Sequence, residues 1–417
     1  MRKKFIALLI TAILMMSSIV GCGGNTEEAK GATIKIGVSG PTTGNSAESG
    51  KNVNTGIQMA IDEVNKAGGI TIDGVKKKVE AVYYDTGSNA QTGLSNGEKL
   101  ITSDKVDFLF TESFNSAVGV ATMELAKKYK IPMATLEPVS SAITDKIVKD
   151  PASYKYFFKF GWDSSAYGEV CASTILDLVN KGKLKAPNKT IAVAADETDY
   201  GRSNMAAVVA KMKAAGYTVV SENYWQFGAT DLYSVISDIK NKKADIIFSC
   251  STTVATGVAL IKQLDENGLG SVPHMAIFYP SQPQFTSQIG NAANGLLWAP
   301  MLVDVENNKK AKEFAQKLKD YNGENVTFDY MDGYSDMKVV LEAMEACGSV
   351  DAEKLSAALL SAKGFDEYKG LIKFNPDNHT IYYGEGYVPV NAAQIQDGKS
   401  YVIYPASAAT REFQPIQ

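Results

Sequence analysis

The sequence predicts an α/β protein with two lobes, each built around a parallel sheet. Short runs of β-branched residues alternate with segments of helical apolar spacing over residues 33–135 and again over residues 166–267. Strands that alternate with helices indicate βαβ units, which form parallel sheets through right-handed crossovers. The remaining third is less regular but alternates again after Gly370. We therefore expect the chain to cross between the lobes more than once, so that each lobe contains discontinuous segments.

The first series begins with a strand at residues 33–38 and a glycine-rich loop. The next helix has apolar residues at helical spacing and ends at Gly68-Gly69, an expected C-terminal signal. The first lobe is then predicted to continue with strands 79–84, 106–111 and 131–135 and helices 90–103 and 116–129. The rest of the chain is predicted to form helices 166–180, 201–215, 232–240, 254–267, 309–321, 330–347 and 352–362 and strands 190–195, 218–224, 245–249, 275–279 and 296–300.

The N-terminus predicts a secreted, lipid-anchored protein. Three basic residues at positions 2–4 precede an apolar run too short to cross a bilayer, which is typical of a signal peptide at residues 1–21. Residues 18–22 resemble the lipobox of bacterial lipoproteins, which implies acylation of Cys22. Residues 22–32 would then form a lipidated polar tether. An ordinary signal peptide followed by an unmodified thiol is the alternative.

The composition argues against a nucleic-acid partner. Loss of residues 1–21 removes three basic and no acidic residues, so the formal net charge changes from −4 to −7. The remaining chain has no basic cluster, which nucleic-acid binding requires. The cysteines beyond Cys22 lie among apolar neighbours and indicate buried small side chains, although one long-range disulfide stays open: Cys171, Cys250 and Cys347.

The sequence offers little for catalysis, so we expect no enzyme activity, no cofactor and no metal. His274 and His379 are the only histidines, and neither has a carboxylate or nucleophile at an informative spacing. His274 is expected at a strand edge and His379 in a turn. No cysteine or histidine cluster has zinc spacing, and no phosphate loop or dinucleotide glycine pattern follows the first strand.

Polar loops at the carboxyl ends of the predicted strands are the best candidates for a binding site, because open α/β sheets bind ligands there. Residues 111–117 join a strand to a helix whose first turn exposes backbone amides, and Asn115 and Ser116 add side-chain donors. That combination suits a carboxylate or another anion. Alternatively, Asn115 or Ser116 only caps its own helix.

Several stretches resemble type I periplasmic binding proteins, in particular the leucine/isoleucine/valine-binding branch of branched-chain amino acid ABC transporters. The stretches are residues 34–50, 56–69, 84–85, 131–133, 196–201 and 290–295. The resemblance covers roughly residues 33–404 and rests on the order of these motifs, since each one alone is weak.

The resemblance implies two Rossmann-like lobes joined by a three-segment hinge, with the ligand held in the cleft between them. Crossovers between the lobes are expected near residues 160–162, 298–300 and 374–383. The lobes would then comprise residues 33–160 and 300–374 in the first and residues 161–299 and 375–417 in the second.

The resemblance also implies which residues contact the ligand. In the family, loops after the third and fourth strands grip a carboxylate, the loop after the first strand adds contacts, and loops of the second lobe cover the ligand. With the aromatic residues expected in the cleft, the candidate ligand-binding residues are Asn45, Ser46, Asn115, Ser116, Glu137, Val139, Ser140, Ser141, Trp162, Tyr200, Thr252, Thr253, Phe278 and Tyr279.

Departures from the family pattern leave the ligand class open. The amino-acid binders carry an acidic residue on the second lobe, where this chain has Phe278 and Tyr279. An α-amino acid remains possible if Glu137, Glu112 or Asp199 supplies the negative partner. Alternatively, the aromatic residues stack an aromatic or otherwise apolar carboxylate. The same aromatic residues can also simply pack in the core or support the hinge.

The resemblance thus implies an extracytoplasmic solute-binding protein of an ABC importer that binds a small carboxylate-bearing ligand by hinge closure. Its expected partners are the ligand, a transporter permease and the bacterial cell membrane, which the lipid contacts. We expect a monomer. The alternative is a ligand-sensing receptor of the same fold that signals to a partner protein.

Overall fold

The computed structural model describes residues 33–415. The predicted signal peptide at residues 1–21, the acylation site Cys22 and the tether at residues 22–32 lie outside the described residues. Within residues 33–415, no helix combines the length and the apolar character that a bilayer span needs.

The first sheet is formed by the N-terminal part of the described chain. Its strands are β1 (Ile34–Gly40), β4 (Val79–Asp85), β5 (Phe108–Glu112), β6 (Met133–Thr135) and β7 (Phe157–Lys159). They run parallel in the order β4-β1-β5-β6-β7. A separate hairpin consists of β2 (Ile70–Ile72) and β3 (Val75–Lys77). All residues of β5 are buried, as expected for a parallel strand in the middle of a sheet with both faces covered.

The second sheet combines two distant parts of the chain. Its strands are β8 (Thr190–Asp196), β9 (Thr218–Trp225), β10 (Ile246–Ser251), β11 (His274–Phe278), β12 (Leu297–Ala299), β15 (Ala392–Gln396) and β16 (Lys399–Tyr404). The order is β16-β15-β12-β11-β10-β8-β9. Strands β8 to β12 are parallel, whereas β15 pairs antiparallel with β12 and β16. A hairpin outside this sheet consists of β13 (Phe365–Glu367) and β14 (Gly370–Ile372).

Helices cover both sheets and complete the predicted α/β fold with parallel sheets in two lobes, which is confirmed. The helices are α1 (Ala47–Lys66), α2 (Ala90–Lys99), α3 (Ser116–Thr122), α4 (Leu125–Lys128), α5 (Ser141–Lys149), α6 (Ser164–Asn180), α7 (Asp199–Ala214), α8 (Tyr233–Lys242), α9 (Val254–Glu266), α10 (Pro283–Ile289), α11 (Lys309–Asn322), α12 (Phe328–Cys347) and α13 (Ala352–Leu359).

The path of the chain joins segments that are far apart in sequence. After β7, the chain builds most of the second sheet, and α12 then packs along α1 beside the first sheet. The chain returns once more, because β15 and β16 extend the second sheet. The exact lobe boundaries stay a prediction.

Two predicted helices end earlier than the apolar spacing suggested. The helix predicted at residues 116–129 is interrupted after Thr122 and forms α3 and α4. The helix predicted at residues 90–103 ends at Lys99 and continues as a π-helical turn over Leu100–Asp104. Because the apolar spacing continues through both irregularities, periodicity alone does not reveal them.

The histidines and cysteines have structural positions. His274 is the first residue of β11, at the edge of its strand as predicted, and its buried ring is 2.6 Å from Ser249 Oγ. His379 lies in a turn, as predicted, with a left-handed φ of 53°. The described cysteines are free thiols, which contradicts the possible disulfide; they are Cys171, Cys250 and Cys347.

Two glycines allow α1 and α12 to pack closely. A Cβ atom at Gly56 would lie 2.2 Å from the carbonyl oxygen of Tyr330, and one at Gly333 would lie 2.2 Å from that of Val53. Such distances to backbone atoms are too short for any side chain, so only glycine permits this approach. The contact gives a structural reason for Gly56, which begins one of the stretches that resemble the family.

Lys159, at the end of β7, is a buried connection between several segments. Its ammonium donates hydrogen bonds to the carbonyl oxygens of Val139 (3.0 Å) and Ser140 (3.1 Å) and to Asp163 Oδ2 (3.1 Å). Its backbone amide donates to the carbonyl of His379 (2.9 Å), in the returning segment of the chain. Burial lowers the pKa of Lys159. Burial alone would raise the pKa of Asp163, but the charge of Lys159 lowers that pKa below its usual value.

Replacement of Lys159 by methionine is expected to lower the free energy of unfolding by about 3–5 kcal/mol, because it leaves a largely buried carboxylate without its partner. The matched control is Lys155→Met, which removes an ammonium whose side chain is 52% exposed and paired with Glu353. That control should change stability by about 1 kcal/mol or less. Urea unfolding of both variants measures the difference, and equal losses would show that Lys159 is not a buried connection.

Candidate ligand-binding site

A cavity of about 230 Å³ lies where strands of both sheets end. We refer to it as the central cavity, and its lining residues are Ser88, Phe114, Asn115, Ser116, Ala117, Glu137, Tyr167, Thr198, Tyr200, Phe227, Thr252, Phe278 and Met301.

Most lining residues follow directly from the strand order. Residues 114–117 come after β5 and Glu137 comes after β6, both in the first sheet. Thr252 follows β10 and Phe278 ends β11, both in the second sheet. Because the carboxyl ends of parallel strands meet at one edge of a sheet, each sheet contributes its loops to one side of the cavity.

Aromatic side chains form much of the cavity wall. The rings of Phe114 and Phe278, which belong to different sheets, have centroids 5.6 Å apart. Phe278 has a left-handed φ of 73°, which a bulky residue adopts only under constraint from its surroundings. Tyr167 and Tyr200 add two further rings. The wall therefore suits an apolar or aromatic ligand body.

Two glutamates are buried at this site in different ways. Glu112 accepts hydrogen bonds from the amides of Phe114 (3.0 Å) and Asn115 (2.9 Å), and burial raises its pKa to about 8 despite them. Glu137 lines the cavity, is 4% exposed, and neither carboxyl oxygen has a hydrogen-bond partner among the described residues. Burial, followed by the charge of Asp329, raises the pKa of Glu137 well above its usual value.

Ser116 connects two loops instead of capping its helix. Its hydroxyl oxygen accepts hydrogen bonds from the amides of Val139 (3.1 Å) and Ser140 (3.3 Å). Asn115 occupies the N-cap position of α3 without a capping side-chain bond, and its amide group donates to Ser88 Oγ (3.1 Å). The simple capping interpretation of Asn115 and Ser116 is therefore wrong.

The structure brings only part of the predicted ligand-binding set together. The predicted residues that line the central cavity are Asn115, Ser116, Glu137, Tyr200, Thr252 and Phe278. Val139 and Trp162 line a much smaller space of about 10 Å³ behind Glu137. Asn45, Ser46 and Thr253 line a neighbouring opening that also includes Thr252 and Phe278. Whether any of these residues contacts a ligand stays a prediction.

Three predicted residues line none of these three spaces. Tyr279 lies in the core of the second lobe, where its hydroxyl is 2.8 Å from Ser249 Oγ. Its ring occupies the space that Gly257 leaves free, since a Cβ there would be 2.4 Å from the ring. Ser140 accepts a hydrogen bond from the amide of Ala142 as the N-cap of α5, and Ser141 is the first residue of that helix. These three residues therefore lie away from the cavity wall, and whether they contact a ligand stays a prediction.

The smaller space behind Glu137 contains a buried ion cluster. The Lys369 ammonium, in the β13–β14 turn, lies 2.5 Å from Asp332 Oδ1 and 2.5 Å from Asp336 Oδ1, both on α12. Trp162 packs against Phe328 at this end, with ring centroids 5.1 Å apart. Glu137 therefore separates the central cavity from a charged interior.

Sequence reasoning missed some lining residues. A sequence rule could have found some of them, whereas no sequence pattern marks the others. Phe114 lies inside the predicted loop 111–117, and Phe227 follows β9, so the strand-end rule applied to all loops would have included both. Tyr167 lies on α6, whose apolar spacing predicts core packing. Met301 follows a short strand next to a predicted crossover, and no motif marks it.

The family of this fold can now be stated. A family model described as periplasmic binding protein matches residues 33–399. The chain belongs to this family. Periplasmic binding proteins are extracytoplasmic solute-binding proteins that work with ABC transporters, and they are not enzymes as a family. The predicted family is confirmed.

Individual members are similar along almost their whole length. A leucine-, isoleucine-, valine-, threonine- and alanine-binding protein of Pseudomonas aeruginosa is 26% identical over 358 residues, which span 84% of this chain and 89% of that protein. A branched-chain amino acid transporter substrate binding protein of Streptococcus pneumoniae, solved with isoleucine, has a TM-score of 0.73 and 22% identity, covering 89% of this chain and 100% of that one. An R. palustris solute binding protein, solved with 4-hydroxybenzoate, has a TM-score of 0.72 and 23% identity, covering 92% and 98%. These structural likenesses establish the fold of this periplasmic binding protein.

In this periplasmic binding protein, Ser116→Ala is expected to lower the free energy of unfolding by about 1–3 kcal/mol, because two buried loop amides lose their acceptor. Ser141→Ala is the matched control, since Ser141 is partly exposed and supports no comparable loop contact. Chemical unfolding measures both. If Ser116→Ala is as stable as the control, the hydroxyl does not hold the loop.

Proposed function

We propose that this protein is the lipid-anchored solute-binding component of an ABC importer, and that it binds a small carboxylate-bearing ligand, an amino acid or an aromatic or apolar acid, in the central cavity. One observation carries the proposal: an aromatic-lined cavity lies at the strand ends of both sheets in a chain of this family. The P. aeruginosa relative is named for leucine, isoleucine, valine, threonine and alanine, and the R. palustris structure holds 4-hydroxybenzoate. All of these compounds carry a carboxylate.

Neutral donors would hold the carboxylate. The cavity wall, as far as the described residues form it, has no lysine, arginine or histidine. The available groups are the hydroxyls of Ser116, Thr252 and Tyr200 and the amide group of Asn115. Hydrogen bonds to a charged group are stronger than neutral ones, so several such donors can bind an anion without a cation.

Hinge closure is the proposed mechanism of binding. Contacts between the proposed lobes lie beside the cavity: Gln282 donates to Asp329 (3.3 Å), Gln284 donates to Glu48, and the ring of Phe114 packs against that of Phe278. A ligand that contacts both sides would stabilise the arrangement in which these contacts form. The lobe boundaries proposed for this movement are residues 33–160 with 300–374 and residues 161–299 with 375–417.

The anchoring and export parts of the proposal rest on the N-terminal sequence. The apolar run before Cys22 and the lipobox resemblance support export and acylation. One acyl chain gives weak membrane binding and two or more give stable binding.

The class of ligand can be tested by a thermal-shift screen of amino acids, aromatic acids and short apolar acids. A ligand present at one hundred times its Kd should stabilise the folded protein by about 2.7 kcal/mol and raise its Tm. Small-angle X-ray scattering should give a smaller radius of gyration for the protein with a bound hit than for the ligand-free protein, as closure requires. If no compound of these classes raises the Tm at millimolar concentration, the proposed ligand class is wrong.

Tyr200→Phe is expected to weaken a bound carboxylate by about 1.5–3 kcal/mol, the usual contribution of one hydrogen bond to a charged group. The Tyr200 hydroxyl has no hydrogen-bond partner among the described residues, so its removal should leave the Tm of the ligand-free protein unchanged. Tyr233→Phe, at an exposed tyrosine outside the cavity, is the control. Calorimetric titration with the best hit decides, and unchanged affinity in Tyr200→Phe would remove this residue from the site.

A further inference from the structure

Glu137 is the one carboxyl group that lines the central cavity within the described part of the chain. Its side chain follows β6, and its backbone amide donates to the carbonyl of Ser113 (3.2 Å), which fixes the start of the loop. Gly161 lets this loop pass, because a Cβ there would lie 2.7 Å from the carbonyl oxygen of Pro138. The carboxyl is thus held in place while both of its oxygens remain without a partner.

Several buried carboxyl groups and one ammonium surround Glu137. From α12, Asp329, Asp332 and Asp336 face it, and from the β13–β14 turn Lys369 supplies one ammonium. Tyr167 on α6 faces it from the other lobe and, as a neutral phenol, adds no charge. Lys369 is already engaged by two aspartates at 2.5 Å. Four buried carboxyl groups therefore lie near one ammonium, which contacts only two of them, and Glu137 has no cationic partner among the described residues.

A buried carboxylate without a partner is unfavourable and becomes favourable when a ligand brings donors to it. On the basis of the proposed function, we infer that Glu137 binds a protonated amine of the ligand, so that the ligand is an apolar or aromatic compound carrying an ammonium group. Glu137 lies on the first lobe. The acidic residue that amino-acid binders of the family carry on the second lobe is matched by Phe278 in this chain. An ammonium has three N–H donors, so it can donate a hydrogen bond to each of the two free oxygens of Glu137.

The other two acidic candidates do not meet the same conditions. Glu112 is buried, but one of its oxygens already accepts two backbone amides and the residue does not line the cavity. Asp199 lies in the first turn of α7 and is exposed to solvent. Glu137 combines burial, free oxygens and a place on the cavity wall.

Binding should release a proton. Burial and the nearby aspartates raise the pKa of Glu137, so the empty site holds a neutral carboxyl over part of the range above pH 4.5, the usual value. Only the ionised form attracts an ammonium strongly. The affinity for an amine should therefore rise with pH through this range, by up to about tenfold per pH unit, and should stop rising once Glu137 is ionised in the empty protein.

Calorimetric titration of the full chain in mild detergent tests the inference with four probes. They share a phenyl ring on a two-carbon chain and differ in their polar groups: phenylalanine, 2-phenylethylamine, 3-phenylpropanoate and 2-phenylethanol. The two amines should bind at least about tenfold more tightly than the acid without an amine. Titration in buffers of different ionisation enthalpy should show proton release for the amines alone. Glu80→Gln, which removes an exposed carboxylate, is the control and should change none of these values.

The variant Glu137→Gln should reverse the preference. It should weaken both amines by at least about tenfold, strengthen 3-phenylpropanoate and abolish the pH dependence of amine binding. Damage to the fold would weaken all probes alike, so the reversal separates recognition from structure. Glu137→Asp, which keeps the charge, should retain the preference for amines if Glu137→Gln does not fold.

The outcomes also separate this inference from the proposed function. Tighter binding of 3-phenylpropanoate than of the amines, or an unchanged preference in Glu137→Gln, overturns the role of Glu137 and leaves the solute-binding function standing. The same holds if none of the four probes binds while another carboxylate of the screen does. If neither the probes nor any compound of the screen binds, both proposals fail.

Discussion

The buried ammonium of Lys159 meets segments that lie far apart in the sequence. It holds the carbonyls of residues 139–140 beside the carboxylate of Asp163, and the backbone of the same residue binds that of His379 in the returning chain. A buried cation is tolerated only when acceptors surround it, so these groups cannot separate without a large loss of stability. The loop that carries Glu137 is therefore fixed relative to the first turn of α6. Because Glu137 lines the cavity, this part of the cavity wall is fixed as well.

The sequence predicted the fold well because the fold depends on local periodicity. Alternating strands and helices specify parallel sheets, and parallel sheets bring strand-end loops together. Asn115, Ser116 and Thr252 were found in this way, since each follows a strand. Tyr167 and Met301 were not, because their approach to the cavity depends on how helices and crossovers pack, and the same sequence pattern is typical of core residues.

The errors have physical causes as well. Tyr279 was expected on the cavity because the resemblance matches residues 278–279 to a loop of the second lobe, yet the left-handed backbone at Phe278 redirects the chain, and the gap above Gly257 accepts the ring. Lys159 drew no attention, because a lysine in a sequence is expected to be exposed. Its burial depends on Asp163 and on loop carbonyls that only the folded chain brings near. Partners of this kind are invisible to any pattern within one segment.

The unpaired carboxyl of Glu137 would connect the choice of ligand to the proposed closure of the two lobes. In the proposed closure, contact between Phe114 and Phe278 would exclude water from the cavity, and the carboxyl would be most costly to bury in that arrangement. A ligand shifts an equilibrium between two arrangements only through a difference in its affinity for them. A donor placed against Glu137 removes a cost that exists mainly in the closed arrangement, so its contribution is largest there. On this view, the group that selects the ligand also supplies the difference in affinity that closure needs, whereas an apolar wall alone would favour closure around any compound of the right size.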